Sequence, residues 1–375
     1  MNNWEKEIEL PPKDDGVGYA YIVKSDTTPV ICDKETLLNV IENDKDVKYV
    51  TTPNNNSFVL PGAEYETLEP ILRRKKAIIK GNLKIAGFYI LLFGGSMLMT
   101  SLNSDNGLFS DKTGKIYFLV FGLIPLLNGV YELLSLRKVN VSNFQTESLE
   151  IKFEHWVKSQ ENYSIIVVVG VLVFITLMQL STGFNDSINL AGLVKPKTND
   201  GEYWRLLTST LLHANLFHIF FNASAMYVIG KMLIRVTSLW HFFTVFLISG
   251  LMGSTFSLLL MPNATSVGAS GGIMGLIGFI LVMSLKLKSI PRNIIKSMLS
   301  SIILIAIIGI SATETIDNAA HGGGLIAGML LGIVLVRKHE DMIPYRLSKL
   351  MFGFGILSLL ILMGGVAMIL QQFLK

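Results

Sequence analysis

The chain has 375 residues, half of them hydrophobic and only 16% charged, with a mean hydropathy of +0.50. An apolar fraction this high, gathered into long unbroken runs, excludes an ordinary soluble domain and points to a membrane. The single cysteine, Cys32, excludes an intrachain disulfide and a cysteine-based metal cluster, and the pattern calls for no metal and no other cofactor.

Taken in chain order, the first 72 residues stand apart. They hold 14 acidic and 6 basic residues, no long apolar run, and a turn cluster at Thr52-Pro53-Asn54-Asn55-Asn56. This predicts a small soluble α+β domain, with a helix near 34–43 and strands near 19–24 and 58–60. Its net charge is −8, which leaves +12 for the remainder. No basic n-region with a short apolar core precedes it, so no cleavable signal peptide is expected.

A membrane span needs about 20 mostly apolar residues. Nine stretches qualify: 85–102, 116–136, 164–182, 215–235, 239–261, 270–286, 294–312, 319–336 and 350–371. Placing the N-terminus in the cytoplasm puts Arg73, Arg74, Lys75, Lys76, Lys80 and Lys84 inside, followed by Arg137, Lys138, Lys152 and Lys158, then Lys231 and Arg235. Lys286, Lys288, Arg292 and Lys296 follow, and Arg337, Lys338, Arg346 and Lys349 complete 20 inside residues. Outside fall Lys112, Lys115, Lys195, Lys197, Arg205 and Lys375, six in all. By the positive-inside rule the chain is N-in and C-out with nine spans. Span two, with Pro125 and Glu132, is the weakest. The same placement explains the basic excess without a nucleic-acid partner. The organisation expected is a cytoplasmic domain at 1–72, a two-span hairpin with an amphipathic linker at 73–163, a core at 164–337, and a linker with a C-terminal span at 338–375.

In this topology the spans starting near 215, 270 and 319 begin at the outer face, and the polar residues cluster at those ends. They are His213, His218 and Asn222, then Ser270, then Asn318 and His321. Ionisable groups are costly in hydrocarbon, so an intramembrane histidine marks a candidate functional site. Span 270–286 is short: seventeen residues at about 1.5 Å each reach ~25 Å, less than the ~30 Å hydrocarbon core. Ser270 is therefore expected to be recessed, with loop 262–269 dipping to meet it and a wet cavity around irregular backbone. Gly271 and Gly275 on one span, and Gly324, Gly328 and Gly332 on another, repeat every four residues. Small residues at this spacing let helix backbones approach closely in lipid, as a serine–histidine contact of ~2.6–3.2 Å requires.

Other readings compete. Gly268-x-Ser270-x-Gly272 fits a nucleophile elbow, but that motif needs a preceding strand, and helices surround the serine here. Alone, Ser270 reads as a helix N-cap and His321 as an interhelical hydrogen-bond partner. Together, with His218 and Asn222 nearby, they favour nucleophilic catalysis. Asp317, one turn before His321, could complete a triad or cap its helix; capping is the simpler role at an exposed helix mouth.

Four strings in order resemble the rhomboid intramembrane serine proteases. They are Glu202-Tyr203-Trp204-Arg205, His213-Ala214-Asn215-Leu216-Phe217-His218-Ile219-Phe220-Phe221-Asn222, Gly268-Ala269-Ser270-Gly271, and Asp317-Asn318-Ala319-Ala320-His321-Gly322-Gly323-Gly324. The resemblance covers about 164–337. It implies an all-α polytopic membrane protein: a six-helix core, here with two additional N-terminal spans, one C-terminal span and the small α+β domain. It also implies a serine endopeptidase with Ser270 as nucleophile, His321 as general base and no third acid. His218, Asn222 and the Ser270 backbone N–H would form the oxyanion hole. Gly268 and Gly271 would support the site. Trp204 and Arg205 would anchor the outer loop structurally, and His213 also reads as structural. Met274 stands where the family usually places Tyr or Phe against the catalytic histidine; its soft thioether holds an imidazole less firmly.

Implied partners are transmembrane protein substrates, cleaved near their outer ends, and the bilayer itself. The N-terminal domain leaves room for an unknown partner. A non-cleaving rhomboid-like binder is disfavoured by the presence of both Ser270 and His321. A transporter would predict mid-span charges and inverted repeats with broken helices, and neither is found in the core. Richness in Lys, Asn and Ile leans towards a bacterial plasma membrane.

Overall fold

A computed structural model describes residues 13–14, 16–23, 28–43, 47–62, 65–102, 118–136, 150, 153–154, 156–157, 160, 163–311, 316–337 and 343–374. Residues 6–159 and residues 160–375 form two compact units. The amphipathic linker expected within 137–163 lies largely outside the described residues, as do the first two residues of span two and the last of span 294–312. Among the basic residues used for orientation, Lys112, Lys115, Arg137, Lys138, Lys152, Lys158, Lys338 and Lys375 also lie outside them.

The first unit opens with a small antiparallel sheet. Strand β1 (Tyr19–Val23) is flanked by β2 (Val30–Cys32) and, across helix α1 (Lys34–Asn43), by β3 (Val47–Thr51), in the order β2-β1-β3. Alternation along β1 buries Ala20 and Ile22, the two-residue period of a strand with one face inward. Asp33 caps α1 by accepting from Thr36 N at 2.7 Å, and these bonds hold its carboxyl below the usual range. Leu37 and Ile41 of α1 pack with Val47, Val50, Leu68 and Ile71.

The helix expected at 34–43 has those bounds, and the first expected strand is β1, with Lys24 outside the described residues. The second, at 58–60, shrinks to one bridge in which Val59 and Val50 exchange backbone bonds of 2.8 and 2.7 Å. The Asn-rich turn before it and Pro61 after it leave room for little more. Strands β2 and β3 were not anticipated.

Helix α2 (Tyr65–Leu102) runs 38 residues without a break. Its start contributes Leu68 and Ile71 to the small domain's core, its middle carries the basic residues between 73 and 84, and its end is the first apolar span. A π-helical turn (Phe118–Leu123) leads into α3 (Ile124–Leu136). The Phe121 ring lies 5.5 Å from that of Tyr89 and 6.0 Å from that of Phe93, aromatic contacts that pin this turn to α2.

The second unit is helical: α4 (Ser164–Thr182), short helices α5 (Phe184–Ala191), α6 (Lys195–Asn199) and α7 (Arg205–Thr208), then α8 (Leu216–Val236), α9 (Leu239–Leu260), α10 (Ser270–Lys286), α11 (Arg292–Ser311), α12 (Asn318–Leu335) and α13 (Lys349–Phe373). Among the described residues of both units, seven helices are long and apolar enough to cross a membrane, and two shorter apolar helices are Phe121–Leu134 and Ser270–Lys286. They match the nine expected stretches. The chain is an all-α multi-pass membrane protein, with α4 and α8–α12 as the six-helix core, α2 and α3 before it, α13 after it, and the small α+β domain at the N-terminus.

Helix α10 is the axis of the core: every residue from Gly271 to Ser284 is buried. A helix sheathed by protein need not match the bilayer's full thickness, which is why seventeen residues suffice. Lipid offers no hydrophobic drive for helix association, so close contact must supply it. The two glycine rows do this. A methyl added to Gly324 would fall onto the Gly271 carbonyl, and one added to Gly328 onto the Gly275 carbonyl. Helices α10 and α12 are therefore parallel and in register, backbone against backbone. Helix α9 completes the contact, where a methyl on Gly253 would lie 2.7 Å from the Ala320 carbonyl.

Candidate active site

The parallel packing of α10 on α12 sets the first turns of both helices side by side. Ser270 is the first residue of α10, and His321 lies in the first turn of α12. Their neighbours Gly271 and Ala320 nearly touch, an added Gly271 Cβ lying 3.4 Å from the Ala320 carbonyl. Ala269, not Ser270, takes the N-cap position, and no side chain caps this helix. The capping role open to Ser270 in the sequence is thus not the one it plays. Its hydroxyl has no hydrogen-bond partner among the described residues, and the residue is half-buried.

Gly268 brings in a third helix. Its φ of +137° is backbone that side-chain-bearing residues rarely adopt. A Cβ there would lie 2.8 Å from both Cε1 and Nε2 of His218 and 3.6 Å from Ser270 Oγ. One small space beside Gly268 is thus shared by the His218 ring and the Ser270 hydroxyl. The starts of α8, α10 and α12 therefore meet at one end of the core.

His218 is placed by its own helix start. Asn215 is the N-cap of α8 and accepts from His218 N at 2.9 Å, while the Ala214 N–H donates to His218 Nδ1 at 3.4 Å. Asn222, one turn on and buried, donates from Nδ2 to the His218 carbonyl at 3.1 Å. The loop before α8 is anchored by Gln179 of α4. Its side chain accepts from His213 N at 2.9 Å and donates to His213 O at 3.0 Å. Burial, with His218 adding to it, pushes the His213 imidazole down to about 3, so the ring is neutral; it packs edge-on to His218 at 5.2 Å.

Asp317 is the N-cap of α12, its Oδ1 accepting from Ala320 N at 2.9 Å. Its Oδ2 accepts from the Ser257 and Ser266 hydroxyls. Both oxygens are thus engaged away from the His321 ring, whose Nδ1 is buried without a partner among the described residues. Of the two roles open to Asp317 in the sequence, capping is the one observed. Met274, one turn after Ser270, is buried. Arg205 is 3% exposed and held by Glu202 Oε2 at 2.6 Å and the Gly192 carbonyl at 2.8 Å, with its guanidinium 4.6 Å from the Trp204 ring. Arg205 thereby ties Glu202, Gly192 and Trp204 together within the segment between α4 and α8.

One participant escaped the sequence reading. Lys195, counted there as an outside surface charge, is 2% exposed and donates to Ser257 Oγ at 2.7 Å and Ser266 Oγ at 2.8 Å. Burial pulls its ammonium down to about 8, against the opposing pull of Asp317. Nothing in the string Val194-Lys195-Pro196-Lys197 separates this lysine from its neighbour, since the serines that bury it come from distant segments.

Comparison with known proteins gives a consistent picture. The Rhomboid domain family model matches residues 200–338. The chain is 35% identical over 148 residues to RHOMBOID-like protein 6, mitochondrial, of Arabidopsis thaliana, covering 39% of this chain and 48% of that one. It is 35% identical over 138 residues to Rhomboid protease GluP of Bacillus subtilis, covering 36% of this chain and 26% of that one. With YdcA of the same bacterium it shares 32% identity over 142 residues, 38% of this chain and 71% of that relative. The chain spans about half the length of the Arabidopsis relative and about a quarter of GluP.

Proposed function

The chain belongs to the rhomboid family, and on that premise we propose that it is an intramembrane serine endopeptidase that hydrolyses peptide bonds of transmembrane proteins. The observation that supports this most is the glycine-lined parallel contact of α10 with α12, which brings together the helix starts that carry Ser270 and His321, with the His218 ring and the Ser270 hydroxyl both beside Gly268. In this reading Ser270 Oγ attacks the scissile carbonyl carbon and His321 takes the hydroxyl proton. The carbonyl oxygen becomes an oxyanion, and three donors are suited to receive it: the second N–H of the Asn222 amide, the His218 ring and the Ser270 backbone N–H. The last is unpaired within its helix, as the first N–H groups of any helix are. Collapse breaks the C–N bond, and His321 returns its proton to the leaving amine. Water, deprotonated by His321, then releases the acyl group from Ser270.

That both Asp317 oxygens accept from other groups supports a reading in which Ser270 and His321 act as a dyad, with no carboxylate bonded to the imidazole. By the charge bias of its flanks the site opens at the outer face of a plasma membrane, with the N-terminus in the cytoplasm and the C-terminus outside. Substrate helices would be cut near their outer ends, where local unwinding exposes the peptide bond. The bilayer and transmembrane proteins are its partners, and the N-terminal domain is left for a partner of its own.

The test is chemical. Purified full-length protein in liposomes should react with a fluorophosphonate, and mass spectrometry should find the adduct on Ser270, together with cleavage of a co-reconstituted transmembrane substrate. An adduct elsewhere, or no cleavage, would refute the assignment. Asn222→Ala should lower kcat by about 10²–10³-fold with KM little changed, the size expected for one oxyanion donor. A loss confined to KM would move Asn222 out of the oxyanion hole.

A further inference from the structure

Four buried or half-buried polar side chains from four separate segments converge beside the dyad. Lys195 comes from the start of α6, Ser257 from the last turn of α9, Ser266 from the loop before α10, and Asp317 from the cap of α12. The ammonium donates to both hydroxyls, at 2.7 and 2.8 Å; each hydroxyl donates onward to Asp317 Oδ2. The donor pattern is directional: the cation gives two of its three N–H bonds to the serines, each serine passes its proton to the carboxylate, the two hydroxyls lie 2.9 Å apart, and the carboxylate only accepts. Backbone bonds lock the same place, Leu193 N to Ser266 O at 3.0 Å and Ser266 N to Leu193 O at 3.3 Å.

Ser266 lies four residues before Ser270, and Asp317 four residues before His321. Asp317 is also bonded to the His321 turn directly, its carbonyl accepting from His321 N at 3.1 Å. We propose that the Lys195–Ser257–Ser266–Asp317 network is the positioning device of the dyad, fixing the spacing of Ser270 and His321 by tying together the backbone just upstream of each. The inference rests on the protease reading. Lys195 and Asp317 act here as positioning residues, since neither reaches the reacting atoms.

The physical case is that a buried ammonium holds its place only while its partners stay in place. Removing one member strands the other charge away from water, so the segments carrying them must shift to rehydrate it. A displacement of about 1 Å between reacting groups can cost on the order of 100-fold in rate. Glycine contacts between α10 and α12 set the distance between the helix axes; the network sets how the two chain segments lead into them.

The experiment uses the full chain in liposomes with a transmembrane substrate and a fluorophosphonate. Asp317→Asn keeps a side-chain oxygen to cap α12 but removes the carboxylate, and Lys195→Met keeps the stem but removes the ammonium. Each should lower kcat about 10–100-fold with KM within about twofold. The rate of Ser270 labelling by the small probe, which involves no substrate docking, should fall in parallel. The double variant, with no stranded charge, should be no slower than the slower single variant. Ser257→Ala, which leaves Ser266 bridging, folds most safely and should lower kcat about threefold to tenfold. Unchanged kcat and labelling in these variants, even with a lowered melting temperature, would show that the network is packing alone and overturn the proposal. Failure of the wild-type protein to cleave or to label at Ser270 would instead overturn the protease reading itself.

Discussion

Ser270→Ala and His321→Ala should each reduce cleavage of a transmembrane substrate by about 10⁴–10⁶-fold, and the double variant should be no worse than either alone. In the proposed mechanism nucleophile and base act as one unit: without the base the hydroxyl is not activated, and without the hydroxyl the base has no proton to take. Residual cleavage over the uncatalysed rate would report what the oxyanion donors contribute alone. The two substitutions should differ in stability. The Ser270 hydroxyl has no hydrogen-bond partner among the described residues, so its removal should shift stability by less than about 0.5 kcal/mol, as at sites free of specific contacts. His321 lies half-buried between packed helices, so its truncation should lower the melting temperature as well. Single-turnover kinetics and thermal scans on the same liposome samples check both parts. Equal kcat in wild type and Ser270→Ala would end the assignment.

Gly328→Ala should also impair the proposed activity, although it lies two turns below His321. The added methyl would fall on the Gly275 carbonyl, a backbone atom that no rotamer change can move. In an open helical position the same substitution gains about 1 kcal/mol of helix propensity. Here overpacking, typically about 1–3 kcal/mol, outweighs that gain. It also pushes α12 off α10, which separates His321 from Ser270. The expected result is a lowered melting temperature together with at least a ~100-fold loss of kcat, the scale of a misplacement near 1 Å. Gly170→Ala in α4, where an added Cβ meets nothing within 4 Å, is the control and should be neutral or stabilising. Normal activity in Gly328→Ala would show that the glycine contact does not set the dyad geometry.

The parts of the fold that rest on local pattern could be read directly. An apolar run signals a span wherever it sits in the bundle, and the expected start and end of α10 at 270 and 286 coincide with the observed ones. Glycines four residues apart define a helix face without any knowledge of the partner, and the rows at 271/275 and 324/328 do face each other. The small domain was harder. Strand β2 has three residues, two of them exposed, and β3 includes Lys48, so neither carries a hydrophobic signal strong enough to stand out. The strand expected at 58–60 is one bridged pair because its neighbours end the pairing.

At the site the division is the same. Polar side chains at the starts of apolar helices marked His218, Asn222, Ser270 and His321 from sequence, because hydrocarbon makes such groups costly and therefore conspicuous. The capping of α12 by Asp317 was legible because an N-cap bond spans three residues. That Asp317 also accepts from two serines, that those serines take up Lys195, and that Ala269 rather than Ser270 holds the cap of α10 were decided only by the tertiary structure. The bonds from Lys195 bridge 62 and 71 residues of chain, and no periodicity runs that far. The sequence determined what crosses the membrane and which residues are anomalous there, since transfer free energy is a property of each segment alone. Which anomalies meet, and which lysine is buried, depended on how closely glycine lets three helices approach.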